Sequence, residues 1–412
     1  MHISYRTTQT QYILDYLIEH CIIAVAFFLP LSLTASSVFL GGGALLWAGK
    51  MALARRLALR PTPLDGPIAL LVALSAASVL VSPDRSFSFY NYYHLMGRYI
   101  IIYYLVVNNV HSLEQLKRIV WAVLVSAAVV TAYGFYQYIY GIDISAFEWV
   151  DGEQFPDLKV RVFSTLQNPN LLAGFLVMIM ALAAGLALRG AHSVPRRLAF
   201  AIFIGLLGVC LVLTYSRGAW LSVLAVIGVY GMLHNRRIFW LLLLIPAAVL
   251  PAHDAVLERL LSIINPTDTS STLRIALWES TVAMIMDRPL LGIGWGAYWL
   301  VYPEYDFFVQ DAGTKIFHAH NLYLQIAAEI GIPGFVAFLT VMAGHARLAV
   351  RLIGNAGDQW ASALMLGVVA ALVGLAVNGL TDHILFNIQL SMLFWLLNAM
   401  VVVVWHNAYM RA

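Results

Sequence analysis

The sequence predicts an all-α polytopic membrane protein with about twelve transmembrane helices and one large external loop that contains short helices. Of its 412 residues, 61% are hydrophobic and only 11% are charged, whereas soluble domains average about 25% charged residues. The apolar residues form runs of roughly 17–25, the length that a helix needs to cross a bilayer. Lys and Arg concentrate in alternate connections between these runs.

The runs divide the chain into three parts. Residues 1–252 hold nine predicted spans, with an external loop at about 140–168, and a large polar loop, 253–318, follows. Residues 319–412 hold the last three spans. The predicted spans are 12–30, 33–52, 64–82, 93–109, 117–139, 169–189, 198–214, 218–234, 238–252, 319–343, 361–380 and 385–406.

The distribution of cations predicts the orientation. An excess of Lys and Arg in short loops marks the cytoplasmic side of a membrane protein. That side holds Arg6, Lys50, Arg55, Arg56, Arg60, Lys117, Arg118, Arg189, Arg196, Arg197, Arg236, Arg237, Arg347, Arg351 and Arg411. Both termini are therefore predicted to be cytoplasmic, and both long polar segments face the other side. The net charge of +3 is too small to indicate a nucleic-acid partner.

A histidine motif, Phe317-His-Ala-His-Asn-Leu-Tyr323, stands where the large polar loop enters an apolar run. We place His320 in the first turn of a helix, where the positive end of the helix dipole favours a neutral imidazole that can accept a proton. His318 and Asn321 are predicted to orient that ring or a substrate hydroxyl. Two alternatives stay open: a structural histidine at the membrane interface, and a metal site, for which the His-x-His spacing alone is weak.

Arginines on the external side are candidate anion-binding residues, and they run against the usual charge bias. Arg217 follows Tyr215-Ser216 between two apolar runs, with Ser216 as the predicted helix cap. A guanidinium beside the free N–H groups of a helix start fits a diphosphate. The alternative is an arginine that snorkels to the level of the lipid headgroups.

Two further arginines and one short turn complete the candidates. Arg274 is predicted in the first turn of a helix that Ser271 caps and that ends before Pro289, and Arg161 lies in a loop. Asp382-His383, between the last two spans, is interpreted as a solvated turn. The alternative is that it supplies a second polar partner to the site.

These stretches resemble the signature of bacterial O-antigen ligases, within the O-antigen ligase and polymerase superfamily. The resemblance covers about residues 160–340. Its parts are His320-Asn321 followed, after nine residues, by Gly331-x-x-Gly334; Arg161 through Asn170; Tyr215-Ser-Arg-Gly218; and Arg274 followed by Pro289-Leu-Leu-Gly-Ile-Gly294.

The resemblance implies a multi-pass protein of the bacterial inner membrane with a periplasmic active site. Such enzymes move O-antigen glycan from undecaprenyl diphosphate to the lipid A–core oligosaccharide, in lipopolysaccharide assembly, without nucleotide, metal or other cofactor. His320 would be the catalytic base, and Arg217 and Arg274 would bind the diphosphate. Arg161, Asn321, His318 and Tyr215 are further expected substrate-binding residues. Membrane lipids are the remaining expected partners.

Three other functions remain open. A glycan polymerase and a protein O-oligosaccharyltransferase of the same superfamily would use the same donor and leaving group with a different acceptor. A transporter of lipid-linked glycans belongs to a different class. It is disfavoured because the candidate cations gather on one face and the runs show no obvious pair of broken helices in corresponding halves.

Overall fold

The fold was obtained as a computed structural model, which describes residues 2–57, 59–141, 161–190, 193–244, 269–306 and 315–409. Within these ranges the chain forms helices joined by turns, and no β-strand occurs. The prediction of an all-α fold is confirmed. Most of the external loop at 140–168, the first part of the loop at 253–318 and most of the ninth predicted span, 238–252, lie outside the described residues.

Thirteen α-helices are described in these ranges. They are α1 (His2–Phe28), α2 (Leu33–Ala54), α3 (Asp65–Val79), α4 (Arg85–Asn109), α5 (Leu113–Tyr140), α6 (Pro169–Arg189), α7 (Val194–Val212), α8 (Arg217–Leu233), α9 (Thr269–Asp287), α10 (Tyr298–Val301), α11 (Leu322–Asn355), α12 (Gln359–Asn378) and α13 (Ile388–Tyr409). Short 3-10 turns occupy Ser164–Leu166, Arg236–Trp240, Tyr302–Tyr305 and Ile384–Phe386.

Eight of the described helices are long and apolar enough to cross a membrane: α1, α2, α5, α6, α7, α11, α12 and α13. The count of twelve spans is not confirmed. The apolar helices α3 and α8 have only 15 and 17 residues, and the tyrosine-rich α4 is not apolar enough to be counted with the eight. The three-part division of the chain remains a prediction.

The centre of the bundle is formed by α6, α12 and α13, whose side chains are almost all buried. Small residues let two of these helices touch. A Cβ atom at Gly185 of α6 would lie 2.6 Å from the carbonyl oxygen of Ala363 and from the nitrogen of Gly367, both in α12. Close backbone approach through small residues is a common means of packing helices in membranes.

The bundle has two distinct polar ends. At one end, Arg189 Nη2 donates to the carbonyl of Ile353 at 3.1 Å, and Gln359 Nε2 donates to the carbonyl of Arg189 at 3.0 Å. This end includes cations that the sequence places on the cytoplasmic side. At the other end, the first residues of α6, α8, α11 and α13 meet the last residues of α7 and α12.

Helix α11 is broken near its start by Gly331, which has φ 72° and ψ 175°. A Cβ atom at this glycine would lie 2.3 Å from the carbonyl oxygen of Leu290. The break frees the N–H of Ile332, which donates to the carbonyl of Pro289 at 2.8 Å. In the turn before the break, the carbonyl of Ala328 accepts from Ile293 N–H at 2.8 Å. The glycine of the signature therefore fastens the loop after α9 to α11.

We expect Gly331→Ala to destabilise the protein by about 1–3 kcal/mol or more, because it combines a glycine-only backbone conformation with a clash against Leu290. The thermal unfolding midpoint of purified protein in nanodiscs measures this. Gly354→Ala is the matched control in the same helix, since its Cβ would meet nothing within 4 Å. Equal midpoints for the two variants would contradict the prediction.

Candidate active site

The segment that carries His320 is held from both sides by hydrogen bonds. Trp278 Nε1, on α9, donates to the carbonyl of Ala319 at 3.0 Å, and Ala319 N–H donates to Gln325 Oε1 at 2.7 Å. Asn321 Oδ1 accepts from the N–H groups of Tyr323 and Leu324, both at 3.0 Å. These contacts fix the segment at the start of α11.

The helix begins at Leu322 with Asn321 as its N-cap, so the prediction that His320 lies in the first helical turn is wrong. His320 instead precedes the cap, with a left-handed φ of 48°. The side chain of Asn321 is committed to the helix start and to the carbonyl of Leu380, to which its Nδ2 donates at 3.0 Å. Capping satisfies two otherwise unpaired N–H groups, which explains the extended backbone of Asn321.

The ring of His320 is oriented by a carboxylate. His320 Nδ1 lies 3.2 Å from Asp382 Oδ1, and the side chain remains 35% exposed. A carboxylate can only accept, so Nδ1 carries the proton and Nε2 has the free lone pair. The ring of His318 packs against it at 4.2 Å between centroids. The pair has the arrangement expected of a general base with an orienting acid.

Asp382 is the centre of the polar network, and its interpretation as part of a solvated turn is wrong. Asp382 and His383 are only 7% and 8% exposed. Besides His320, the carboxylate accepts from Asn170 Nδ2 and from the backbone N–H of His383, both at 2.8 Å. The turn is buried because it folds onto the start of α11, where Leu322 N–H donates to the carbonyl of Gly379 at 2.8 Å.

Asp382 is held in its ionised form. Burial raises the pKa of its carboxyl group, but the hydrogen bond from His320 and the nearby charges of His320, His318 and Arg274 outweigh burial. The pKa of Asp382 therefore lies below its usual range. The carboxylate remains available to accept the proton on His320 Nδ1 throughout the neutral range.

The two neighbouring histidines are held neutral. Burial, and then the positive charge of His320, lowers the pKa of His318 well below its usual value. Burial lowers the pKa of His383 to about 4. His318 also stacks on Phe386 with ring centroids 4.5 Å apart. Because both rings are neutral in the neutral pH range, Arg274 is the permanently charged group that acts on Asp382.

Arg161 is connected to the same carboxylate through one residue. Its Nη2 donates to Asn170 Oδ1 at 3.0 Å, and Asn170 in turn donates to Asp382. Its Nε donates to the carbonyl of Thr214 at 3.0 Å. Arg161 thus connects the start of α6 to the turn before α8. It also holds Asn170 in place, and Asn170 donates to Asp382. Sequence reasoning missed Asn170 as a site residue, although it ends one of the matched stretches.

Arg217 is the first residue of α8, as the sequence predicts, and Ser216 is in the N-cap position. The turn is tight, because Tyr215 has a positive φ of 53° and its side chain is buried. A Cβ atom at Gly218 would lie 2.1 Å from Thr381 Oγ1. The start of α8 therefore packs directly on the residue before Asp382, which places the backbone of Arg217 beside the turn that carries that carboxylate.

Arg274 lies in the second turn of α9 and not in its first turn. The helix begins at Thr269, so Ser271 is inside the helix and the predicted cap is wrong. Residues Thr269 to Thr272 therefore form the first turn of the helix instead of preceding it. Leu277 and Met284 of α9 are buried in a cluster with Ala319 and Ala328. This packing brings the positive charge of Arg274 close enough to act on His318 and Asp382.

Part of the chain is similar to a known protein family. Residues 200–339 match the family model described as O-antigen ligase. This segment of the chain is similar to the O-antigen ligase family. No curated protein matches the sequence.

The matched segment contains only part of the network. Arg217, Arg274 and His320 lie inside the matched segment, whereas Asp382 lies after it. Arg161 and Asn170 lie before it. The network around Asp382 therefore includes side chains from inside and outside the matched segment.

The site also contains three atoms that are placed as metal ligands would be. One ligand atom each from His318, His320 and Asp382 lies within 4.8 Å of the others. The oxygens of Asp382 already accept three hydrogen bonds, and the nearby charge of Arg274 opposes a divalent cation. Proton transfer is therefore the chemistry that this arrangement favours, and chelation tests the alternative.

Proposed function

We propose that the protein is an O-antigen ligase, an inverting glycosyltransferase that moves O-antigen glycan from undecaprenyl diphosphate to the lipid A–core oligosaccharide. The observation that carries this proposal is the pairing of His320 with an ionised Asp382 at the end of the bundle where the Arg217 and Arg274 segments meet. The site would face the periplasm of a bacterium, in a multi-pass inner-membrane protein with both termini in the cytoplasm.

The base chemistry follows from the orientation of His320. In the proposed reaction, an acceptor hydroxyl attacks C1 of the donor sugar while His320 Nε2 takes the hydroxyl proton. The new C1–O bond forms on the side opposite the breaking bond to the diphosphate, so the anomeric centre inverts. Asp382 accepts from Nδ1–H throughout and stabilises the imidazolium as it forms. The imidazolium then gives its Nε2 proton to the departing carrier diphosphate or to water, which restores the neutral base.

The leaving group needs cations, because the diphosphate gains negative charge as the C1–O bond breaks. Arg217 would place its guanidinium beside the free N–H groups at the start of α8, a combination that suits phosphate oxygens. Arg274 would add a second positive charge from α9. Fixed cations aimed at developing charge are among the largest contributions to catalysis.

The other four residues expected to bind substrate make contacts that position the site. Arg161 acts as a positioning residue, since it reaches Asp382 through Asn170. Asn321 fixes the start of α11, and Tyr215 sets the turn that precedes Arg217. His318 packs beside the base and accepts from His320 N–H at 3.3 Å. Direct contact of these four with substrate remains part of the proposal.

A reconstituted transfer assay tests the function. Purified protein in nanodiscs is incubated with undecaprenyl-diphosphate-linked glycan and lipid A–core, without ATP or an ion gradient. A new high-mass glycolipid is the expected product. A longer carrier-linked glycan would indicate a polymerase, and no product of either kind would contradict both and favour transport. Transfer is expected to persist in EDTA, whereas its loss would assign a metal to His318, His320 and Asp382.

We expect Arg217→Ala and Arg274→Ala each to lower kcat/KM for the donor by about 10²–10³-fold, the range found for removing one group that stabilises transition-state charge. Initial rates at varied donor concentration measure this, with the acceptor saturating. Arg237→Ala is the control, since Arg237 is exposed beyond the opposite end of α8. Donor kinetics equal to the control would refute the proposed diphosphate site.

A further inference from the structure

A cavity of about 350 Å³ lies beside the site and has no role in the chemistry described above. It is bounded by α3, α4, α11, α13 and the glycine-rich turn before α10. It runs from partly exposed rings, including Phe317 and Phe386, to fully covered ones such as Tyr99 and Trp395. Its volume is at the lower end of the range of about 300–1,000 Å³ for small-molecule sites.

Aromatic rings and neutral polar groups share the wall of this cavity. The rings of Phe87 and Trp299 meet edge to face at 5.7 Å, and Trp299 lies 6.3 Å from Phe317. Between them and the bundle, the wall includes the side chains of Asn91 and Gln325. Rings flanked by hydrogen-bonding groups suit a ligand that has both apolar faces and hydroxyl edges.

Two buried polar atoms of the lining have no partner among the described residues. They are Trp295 Nε1 and His383 Nδ1. A buried polar atom without a hydrogen bond costs about 1–3 kcal/mol. A hydrocarbon chain in the cavity has no group that could pair with either atom, whereas a polyol has hydroxyl groups that can pair with each once the two rings turn towards it. This observation favours a sugar over a lipid chain as the occupant.

The lining offers no cation to an anionic occupant. The residues that line the cavity include no Lys or Arg, and they do include Glu329. The Glu329 carboxylate is engaged, since Gln325 Nε2 donates to it at 2.9 Å and the backbone N–H groups of Gly296 and Tyr298 donate as well. It fixes the glycine-rich turn against α11. The diphosphate of the donor therefore belongs elsewhere.

The turn around Asp382 lies between the start of α8 and the cavity. On one side, Thr381 packs against the start of α8, which carries Arg217. On the other side, His383 and Phe386 face the cavity, and His318 stacks on Phe386. An inverting displacement brings the nucleophile in from the face opposite the leaving group. With the diphosphate near Arg217, the nucleophile approaches from the side of the cavity.

We propose that this cavity binds a pyranose unit of the acceptor oligosaccharide, stacked on Trp295 or Trp299, and presents the neighbouring acceptor hydroxyl to His320. The proposal rests on the proposed transferase function and names the part of the site that recognises the acceptor. Apolar C–H faces of the sugar would lie on the rings. Hydroxyl groups would pair with Trp295 Nε1 and His383 Nδ1.

The test uses Trp295→Phe, which keeps an aromatic ring but removes the unpaired N–H. In the transfer assay, we expect the acceptor KM to rise about fivefold to tenfold, in the range for one hydrogen bond, while kcat and the donor KM stay unchanged. Trp299→Ala, which removes a ring, is expected to raise the acceptor KM as well. Trp121→Phe is the matched control, since Trp121 lies on α5 and lines a different cavity. Thermal unfolding midpoints confirm that each variant folds.

A direct measurement of oligosaccharide binding tests the cavity independently of the proposed transferase function. The probe is lipid-free core oligosaccharide, released by mild acid, added to full-length protein in nanodiscs and measured by calorimetry. Maltoside detergents are avoided because their headgroup is itself a disaccharide. Binding by the wild type that Trp295→Phe weakens supports the cavity, even if no glycan transfer is found. Normal transfer with an unchanged acceptor KM in Trp295→Phe would overturn the cavity alone.

Two further outcomes would overturn the sugar site. One is that the wild type shows no binding of the oligosaccharide at millimolar concentration. The other is that Trp295→Phe weakens binding of glycan-free undecaprenyl diphosphate, which would assign the cavity to the carrier chain.

Discussion

Replacing His320 with alanine is expected to lower kcat for glycan transfer by about 10²–10⁴-fold, the contribution of a positioned general base. Donor binding should persist, because the proposed diphosphate ligands, Arg217 and Arg274, are unchanged. Single-turnover transfer measures the first effect, and co-purification of labelled lipid-linked glycan measures the second. Alanine also removes the half-buried imidazole that Asp382 orients.

His234→Ala is the control for this variant. His234 is exposed at the far end of α8 from the site, so its loss should leave transfer unchanged. If His320→Ala transferred glycan at the wild-type rate, the assignment of His320 as the catalytic base would be wrong. Simultaneous loss of transfer and donor binding would instead indicate that His320 holds the donor.

Asp382→Asn is expected to lower kcat by about 10²–10⁴-fold with little change in the donor KM. The carboxylate accepts from Nδ1–H of His320 and leaves Nε2 free to take a proton. An amide can instead offer its N–H₂ group to Nδ1, which would place the proton on Nε2 and abolish its basicity. Separate kcat and KM values for the donor distinguish this from a binding defect.

Two controls accompany this variant. Asp358→Asn changes the same atoms at the start of α12, at the opposite end of the bundle, where Asn also caps a helix well. The double variant with His320→Ala should be no slower than His320→Ala alone, because residues that act as a unit are not additive. Additive losses would show that Asp382 acts independently of His320.

The candidate cations and the candidate base could be selected from the sequence because each left a local signal. Arg217 and the histidine motif both stand at the edges of apolar runs, and the arginines run against the charge bias of the connecting loops. The helical class followed from composition. The number of spans did not follow from composition. Helices α3 and α8 are short and α4 is less apolar, so length and hydropathy do not show whether these three helices cross the membrane.

The orienting acid left no such signal. Asp382 is 62 residues from His320 and 212 residues from Asn170 in the sequence, and no short motif joins them. A single Asp-His pair between two spans is typical of a solvated turn, and only the folding of that turn onto α11 buries it. The start of α11 also lies three residues after the start of the predicted span, 319–343, because the sequence does not show that Asn321 caps the helix and bonds to Leu380.

The position of Asp382 outside the matched segment has a consequence for how the protein can be divided. A fragment of residues 200–339 would keep the histidine and two arginines but would lack their carboxylate and its support from Asn170. Transplanting that segment into another scaffold would carry over the recognisable motifs without the acid that orients the base. For the proposed site to stay intact, chimeras between relatives should be joined outside the region from Arg161 to His383.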